Sequence, residues 1–508
     1  MLVGGIIGGC DKIAFNNCDN KGAIFQHGTL NTNKPTWDSK TNAFTHTTYL
    51  YLGGIAGKAG TSCTMEYCDN SGAISVDTDT IYGYIGGVVG GAAVTSFKNN
   101  SNSGNITVAG SFNLNTGICG LGASISCATI NCSNSGNITV SATQPQGDDY
   151  TNADGKASKA TGTFYICGIA WVSDYAHENF TNSGNITFTG DTYVNVFMSG
   201  AVYTPKKTIK NICNTGDIIA DVNSLHATLK MGGLARSSTT GTYDSCSNSG
   251  DIVFKGTTTA SVYMGGLAAD IDGAFKTAGT GFVNTGAIKW LGYANKSGVL
   301  GGIAGGATVT VGTITTLKNE GLVTNYDAET GLIGSAKSGI YLGGCIAYAT
   351  KVAQTVAMEN TGTVYVHNVA EGSLAGIVYA GGIVGSTAYT FSNAKADCDV
   401  AAIGLVEAKD KVGVGMVTGI HRGSTALVDK CKVGGRYALT ETDGQPNWLI
   451  ITPKVYGTTD ASDEFVPADG YVPFWKKIYG GAWADADAGN CDNCTYESAN
   501  VPAEPTSL

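Results

Sequence analysis

Short runs of strict alternation recur along most of the chain. Ile74 and Val76 flank Ser75, and the same order returns at Ile106 and Val108, Ile138 and Val140, Ile186 and Phe188, and Ile252 and Phe254. A period of two predicts half-buried β-strands with one face turned to a core. Isoleucine, valine and phenylalanine suit that pleated setting, whereas the interspersed glycines would each weaken a helix by about 1 kcal/mol.

Two motifs punctuate these runs. The first is an apolar or aromatic pair, Gly-Gly and an apolar residue, as in Leu52-Gly-Gly-Ile55, Ile85-Gly-Gly-Val88, Met231-Gly-Gly-Leu234 and Leu300-Gly-Gly-Ile303. The second is Asn-x-Gly-x-Ile/Val, beginning at Asn20, Asn70, Asn102, Asn134, Asn182, Asn214, Asn248, Asn284, Asn319 and Asn360. From the second glycine of the first motif to the glycine of the second is 16 to 20 residues, so the full repeat is about 33 residues and recurs twelve times. Asparagine and glycine tolerate positive φ, so Asn-x-Gly is expected to turn a tight corner, with successive asparagines stacked and hydrogen-bonded along it.

A repeat of this length means a solenoid, a propeller or an array. Ankyrin-like helices lack the alternation, and a propeller needs longer blades and closes at eight or fewer. The pattern predicts an all-β, right-handed parallel β-helix of about twelve coils, residues 1–438, roughly 55 to 60 Å long at one strand spacing per coil. From 439 the pattern stops, and 439–508 holds six of the nine prolines, with Trp448, Trp475 and Trp483. A solenoid end needs its open strand edges covered, so this stretch is read as a cap or the start of another module. Met1 falls inside a Gly-Gly motif with no basic leader before it, which predicts a fragment with further coils upstream.

The repeat is interrupted twice in the same loop. The return from Asn-x-Gly to Gly-Gly usually takes 15 to 17 residues but takes 32 from Gly22 to Gly54 and from Gly136 to Gly168. The first insertion, 26–48, carries His27, Trp37, Phe44 and His46; the second, 141–163, carries Asp148, Asp149, Tyr150 and Asp154. Both are expected to leave one edge of the solenoid, about 14 Å apart. Aromatics beside carboxylates suit a sugar, its ring stacking and its hydroxyls donating. Surface decoration, which solenoid loops accept cheaply, is the plainer alternative.

Composition narrows the field of functions. Glycine supplies 73 of 508 residues without a Gly-X-Y period, which excludes collagen, and 43% hydrophobic content excludes a disordered tail. No apolar run is long enough to span a membrane as a helix. A net charge of −10, with only three arginines, argues against nucleic acid. The 15 cysteines do not read as a disulfide framework. Cys18, Cys68, Cys132 and Cys246 share a column with Phe180, Ile212, Phe282, Leu317 and Met358, which marks a core position holding buried thiols. Cys491-Asp-Asn-Cys494 lacks a second pair at zinc spacing, so a local disulfide or no bond at all is a better reading than zinc.

Chemistry is sparse. Asp19 falls over Asp69 and Asp217 over Asp251 in successive repeats, about 5 Å apart, a separation suited to a retaining glycosidase or a calcium ion. Asp217 and Asp251 are the candidate metal ligands, although turn columns occupied elsewhere by Ser, Thr, Asn or Ala ordinarily hold solvated charges. The six histidines share no column, and no phosphate loop, dinucleotide fingerprint or G-x-S-x-G is present. No catalytic residue and no cofactor is therefore assigned.

Gly53-Gly54-Ile55-Ala56-Gly57, followed by Cys68-Asp-Asn-Ser-Gly-Ala-Ile74, resembles the GLUG-type repeats of bacterial secreted and surface-anchored proteins, and Gly381–Gly385 is similar. The likeness covers roughly residues 1–435, in the style of long Bacteroidota surface proteins, and departs from the pattern at Cys119, Cys167 and Ser199. It implies an extracellular, non-catalytic β-solenoid with adhesive or stalk work, meeting a host or neighbouring cell surface, with glycan as a candidate contact. Asp79-Thr-Ile81 matches that phylum's O-glycosylation signal. Two alternatives accompany this reading: a carbohydrate-binding or carbohydrate-active β-helix, and a layer or fibre subunit associating end to end.

Overall fold

The computed structural model describes residues 1–456 apart from internal stretches, the longest being 29–35, 144–149, 152–156, 310–315, 352–357, 368–376, 404–411 and 422–427. Among the described residues there is no helix, and parallel strands stack into a β-solenoid of about nine turns. The turn count differs slightly from the twelve expected. The chain divides into two compact units, Met1–Arg236 with Lys255–Ala260, and Ser237–Phe254 with Ser261–Leu508.

In the first unit the coils build three parallel sheets. The strand before Gly-Gly forms one, running through Leu2–Gly4, Leu50–Gly53, Gly83–Gly86, Thr116–Cys119, Thr163–Cys167, Asn195–Ser199 and Leu229–Gly232. The strand after Gly-Gly forms the second, with Ile7–Cys10, Ala56–Ala59, Val89–Ala92 and Gly122–Ile125. The segments around Asn-x-Gly form the third. There the predicted alternation lies in register, Ile74 beside Ile106, Ile106 beside Ile138, and Ile138 beside Ile186. These isoleucines are buried, as are Leu52, Ile85, Ile118 and Ile166 of the first sheet. Each fully buried side chain of this size stabilises the fold by about 1.5–3 kcal/mol.

The two glycine motifs meet across the thin core. The Asn70 amide lies where a Cβ on Gly54 would project, and Asn102 does the same at Gly87 and Asn134 at Gly120. The constant spacing between motifs is therefore the path length from one side of a contact to the other. The asparagines form a buried row: Asn20 Nδ2 donates to Asn70 Oδ1 at 2.7 Å, Asn70 to Asn102 at 2.7 Å, Asn102 to Asn134 at 2.8 Å, Asn134 to Asn182 at 2.8 Å and Asn182 to Asn214 at 2.7 Å. Each also donates to the carbonyl two residues on, as Asn102 does to Gly104 at 2.9 Å.

The expected positive φ at Asn-x-Gly is corrected by the structure. The left-handed residues stand three positions earlier, at Asn17, Tyr67, Asn99, Asn131, Asn179 and Asn211. The Asn-x-Gly glycine is needed for room: a Cβ on Gly72, Gly104 or Gly136 would overlap the preceding coil's carbonyl oxygen. The chain turns at this earlier position, an asparagine in most coils and Tyr67 in one, and lets its coils touch at the glycine.

The second unit repeats this plan. Its first sheet runs through Val262–Gly265, Ser297–Gly301, Gly339–Gly343, Ile377–Gly381 and Val412–Gly415. Its asparagine row joins Asn248 to Asn284, Asn284 to Asn319 and Asn319 to Asn360, each at 2.8 Å. Trp290 is fully buried against Gly298, with its indole N–H given to the Gly292 carbonyl at 2.6 Å. Leu449–Tyr456 runs antiparallel along Cys431–Ala438, the one reversal in the large sheet among the described residues. Residues 457–508, including Cys491, Cys494, Trp475 and Trp483, lie outside the described residues.

Candidate functional site

Each insertion carries an antiparallel hairpin. Thr36–Asp38 pairs with Ala43–Thr45, with Trp37 opposite Phe44 in register. Tyr150–Thr151 pairs with Ala157–Ser158, with Tyr150 opposite Ser158. Both hairpins sit between the third sheet of one coil and the first sheet of the next. Of the candidate ligand contacts, His46, Asp148, Asp149 and Asp154 lie outside the described residues.

The acidic columns are described in full. Asp19 and Asp69 are register partners and both exposed, and Asp69 accepts from the Ser101 hydroxyl at 2.5 Å. Asp217 takes the Asn185 side-chain oxygen on its backbone N–H at 2.9 Å, as Asn185 does from Asn137 and Asn137 from Asn105. Asp251 fills the same motif position: its Oδ1 accepts the Ala287 N–H at 2.9 Å and its Oδ2 pairs with Lys289 at 3.1 Å. This column joins coils by capping backbone donors. Among the described residues no group of three or more His, Cys, Asp or Glu is placed to hold a metal.

The cysteine column is core, as its register predicts. Cys68, Cys132 and Cys246 are buried and Cys18 is half-buried, and the twelve cysteines described are thiols outside any disulfide. Burial pushes the Cys68 and Cys132 thiols up to about 12, so both stay protonated and unreactive at neutral pH.

Sequence reasoning missed the aromatic column of the first sheet. Tyr51, Tyr84, Gly117, Tyr165 and Phe197 are successive register partners. Tyr51 and Tyr84 stack at 4.7 Å with planes 2° apart, the separation that adjacent strands impose. Trp171 swings into the space left by Gly117, stacking on Tyr84 at 5.5 Å and on Tyr165 at 4.3 Å. Tyr203 meets Tyr165 edge-on at 4.7 Å, and the Arg236 guanidinium lies 4.5 Å from the Phe197 centroid. The signal was present as the residue two places before Gly-Gly, visible only once that column was separated from the inward one. Ring faces turned to one another are unavailable to a sugar. Each contact adds about 0.5–1.5 kcal/mol, so the column works as packing that closes the outer side of the sheet.

One buried titratable group stands apart. His177 is 1% exposed, shares a 2.7 Å hydrogen bond between Nδ1 and the Thr129 hydroxyl, and leaves Nε2 without a partner. Burial lowers its pKa to about 4, so the ring is neutral at pH 7. Unfolding restores a pKa near 6.5 and takes up a proton. The stabilising effect of the neutral ring is therefore complete above pH 6.5 and is lost as the pH falls toward 4, about 3 kcal/mol in all. His177→Leu is expected to flatten this part of the stability–pH curve, measured by urea unfolding at pH 7, 5.5 and 4.5. An unchanged acid limb in the variant would assign the loss to other groups.

No family model, no curated protein and no solved structure matches the chain. Its function must be read from its own residues.

Proposed function

We propose that the chain is a non-catalytic stalk or adhesin segment of an extracellular cell surface, with contact made by the two inserted loops. The observation that carries this reading is the buried asparagine row, in which one polar side chain of each coil faces inward and joins that coil to the next. The outward columns follow suit: asparagine oxygens cap the next coil's N–H groups, and Lys210 pairs with Glu178 at 3.0 Å. A fold that spends its polar groups on stacking serves to hold a shape and present what interrupts it. The GLUG-like motif around Gly53–Gly57 and Cys68–Ile74 supports the surface setting.

Carbohydrate is the contact chemistry this reading assigns to the loops, through Trp37, Phe44 and Tyr150. The test is glycan-array binding by the full chain, beside Trp37→Ala and a variant with 29–48 replaced by a short turn. Capture of a subset of glycans, weakened at least tenfold in both variants with unchanged far-UV circular dichroism, is the expected result. Binding that survives both changes, or no binding at all, would remove the loops from the function. Release of shortened glycan would replace an adhesin with an enzyme.

A further inference from the structure

We propose that Cys10 and Cys63 form a reversible disulfide that ties the first coil to the second, a thiol-modification site built into the fold. Cys10 ends the strand Ile7–Cys10, and Cys63 closes the turn after the neighbouring strand Ala56–Ala59, with its N–H on the Gly60 carbonyl at 3.1 Å. The strands are in register, and the Gly60 N–H donates to the Cys10 carbonyl at 2.8 Å. This pairing brings the two sulfurs, 53 residues apart in sequence, to 3.5 Å. A disulfide needs about 1.5 Å less than that separation, a movement within reach of a side-chain rotation at a turn.

Access separates this pair from the stacked Cys119 and Cys167. Cys10 is half-buried and reachable, whereas Cys63 is fully covered. Cys119 and Cys167 are also register partners, yet both are buried and no reagent reaches either. The chemistry therefore has an order. The Cys10 thiolate attacks a small disulfide such as oxidised glutathione, forming a mixed disulfide and releasing one glutathione thiolate. The Cys63 sulfur then attacks Cys10 Sγ, its proton passing to the glutathione thiolate that it displaces, and the second glutathione leaves as the thiol. Two protein thiols and one glutathione disulfide become one protein disulfide and two glutathiones, and reduced glutathione in excess reverses both steps. Burial and the neighbouring Cys63 raise the Cys10 pKa to about 11, so the first step is slow at pH 7 and accelerates as the pH rises.

The test treats the full-length chain with oxidised glutathione at about pH 8.5, followed by proteolysis without reduction and mass spectrometry. The expected product is a peptide pair joined through Cys10 and Cys63 with no glutathione attached, a raised thermal midpoint, and recovery of both thiols on reduction. Cys63→Ser is expected to stop at glutathionylated Cys10. The same treatment in urea should scatter Cys10 among several partners, showing that the fold selects Cys63. Glutathione retained on Cys10 in the unaltered chain, joining of Cys10 to another cysteine in the folded chain, or an unreacted Cys10 where half-buried Cys213 has reacted would each overturn the proposal.

Discussion

Replacing Asn134 by alanine is expected to destabilise the first unit by about 4 kcal/mol. The side chain has no exposure and takes part in three hydrogen bonds: it donates to the Gly136 carbonyl at 2.9 Å and to Asn182 at 2.8 Å, and accepts from Asn102 at 2.8 Å. Alanine leaves an N–H of Asn102, the Asn182 oxygen and the Gly136 carbonyl buried without that partner. Each such group costs about 1–3 kcal/mol, far more than the net value of one intact bond. Both flanking coil interfaces are weakened, so solenoid cooperativity compounds the effect. The measurement is the shift in urea midpoint at constant m-value, beside Asn131→Ala as the control. Asn131 belongs to an exposed row, bonding Asn99 at 3.2 Å and Asn179 at 2.8 Å, and its φ of 54° is the main thing alanine would lose. Its cost should be nearer 1–2 kcal/mol. Equal effects at the two positions would show that burial of the inner row contributes nothing special.

Gly104→Ala is expected to cost about 3 kcal/mol or more, for a different reason. The added methyl would overlap the Gly72 carbonyl oxygen and come within 3.0 Å of the Asn70 amide nitrogen. Both are held by the neighbouring coil, so the backbone must separate there, and overpacking against fixed backbone lies at the upper end of its usual range. Gly28→Ala separates this from dihedral strain. Gly28 has φ +94° but nothing within 4 Å of the added carbon, so only the left-handed penalty of about 1–2 kcal/mol applies. Thermal or urea unfolding of the two variants should differ clearly in midpoint. Equal losses would mean that the coils do not touch at the glycine.

The repeat was legible because it is periodic in residues with strong local preferences. Ile74, Ile106 and Ile138 announce strands by alternation, and the asparagine spacing announces one coil per repeat. What resisted reading is where two columns meet in space. Asn70 and Gly54 are 16 residues apart and touch only across the core, so the amide that dictates Gly-Gly belongs to a different motif. The left-handed corner was misplaced because asparagine tolerates positive φ at two positions of the repeat. Only the coil path decides that Asn131 bends while Asn134 bonds. Tyr51 and Tyr84 look apolar in sequence, and Trp171 reaches their stack from beyond its own Gly-Gly position to fill the place of Gly117. The insertions were legible as loops of one edge, but the hairpins within them, Trp37 opposite Phe44, depend on pairing that no period reports.

The buried asparagine row has a direction. From Asn20 through Asn182 every amide nitrogen points to the coil that follows and every amide oxygen to the coil that precedes, and Asn248 through Asn319 keep the same sense. Side-chain dipoles aligned head to tail in a low-dielectric interior polarise one another and add, as peptide dipoles do along a helix. Within each unit the row thus carries partial negative charge at its N-terminal coil and partial positive charge at its C-terminal coil. A further coil continues the row only if it arrives in the same orientation, since a reversed one would set oxygen against oxygen or N–H against N–H. The asparagines thereby write polarity into a repeat whose backbone sheets alone would tolerate either neighbour.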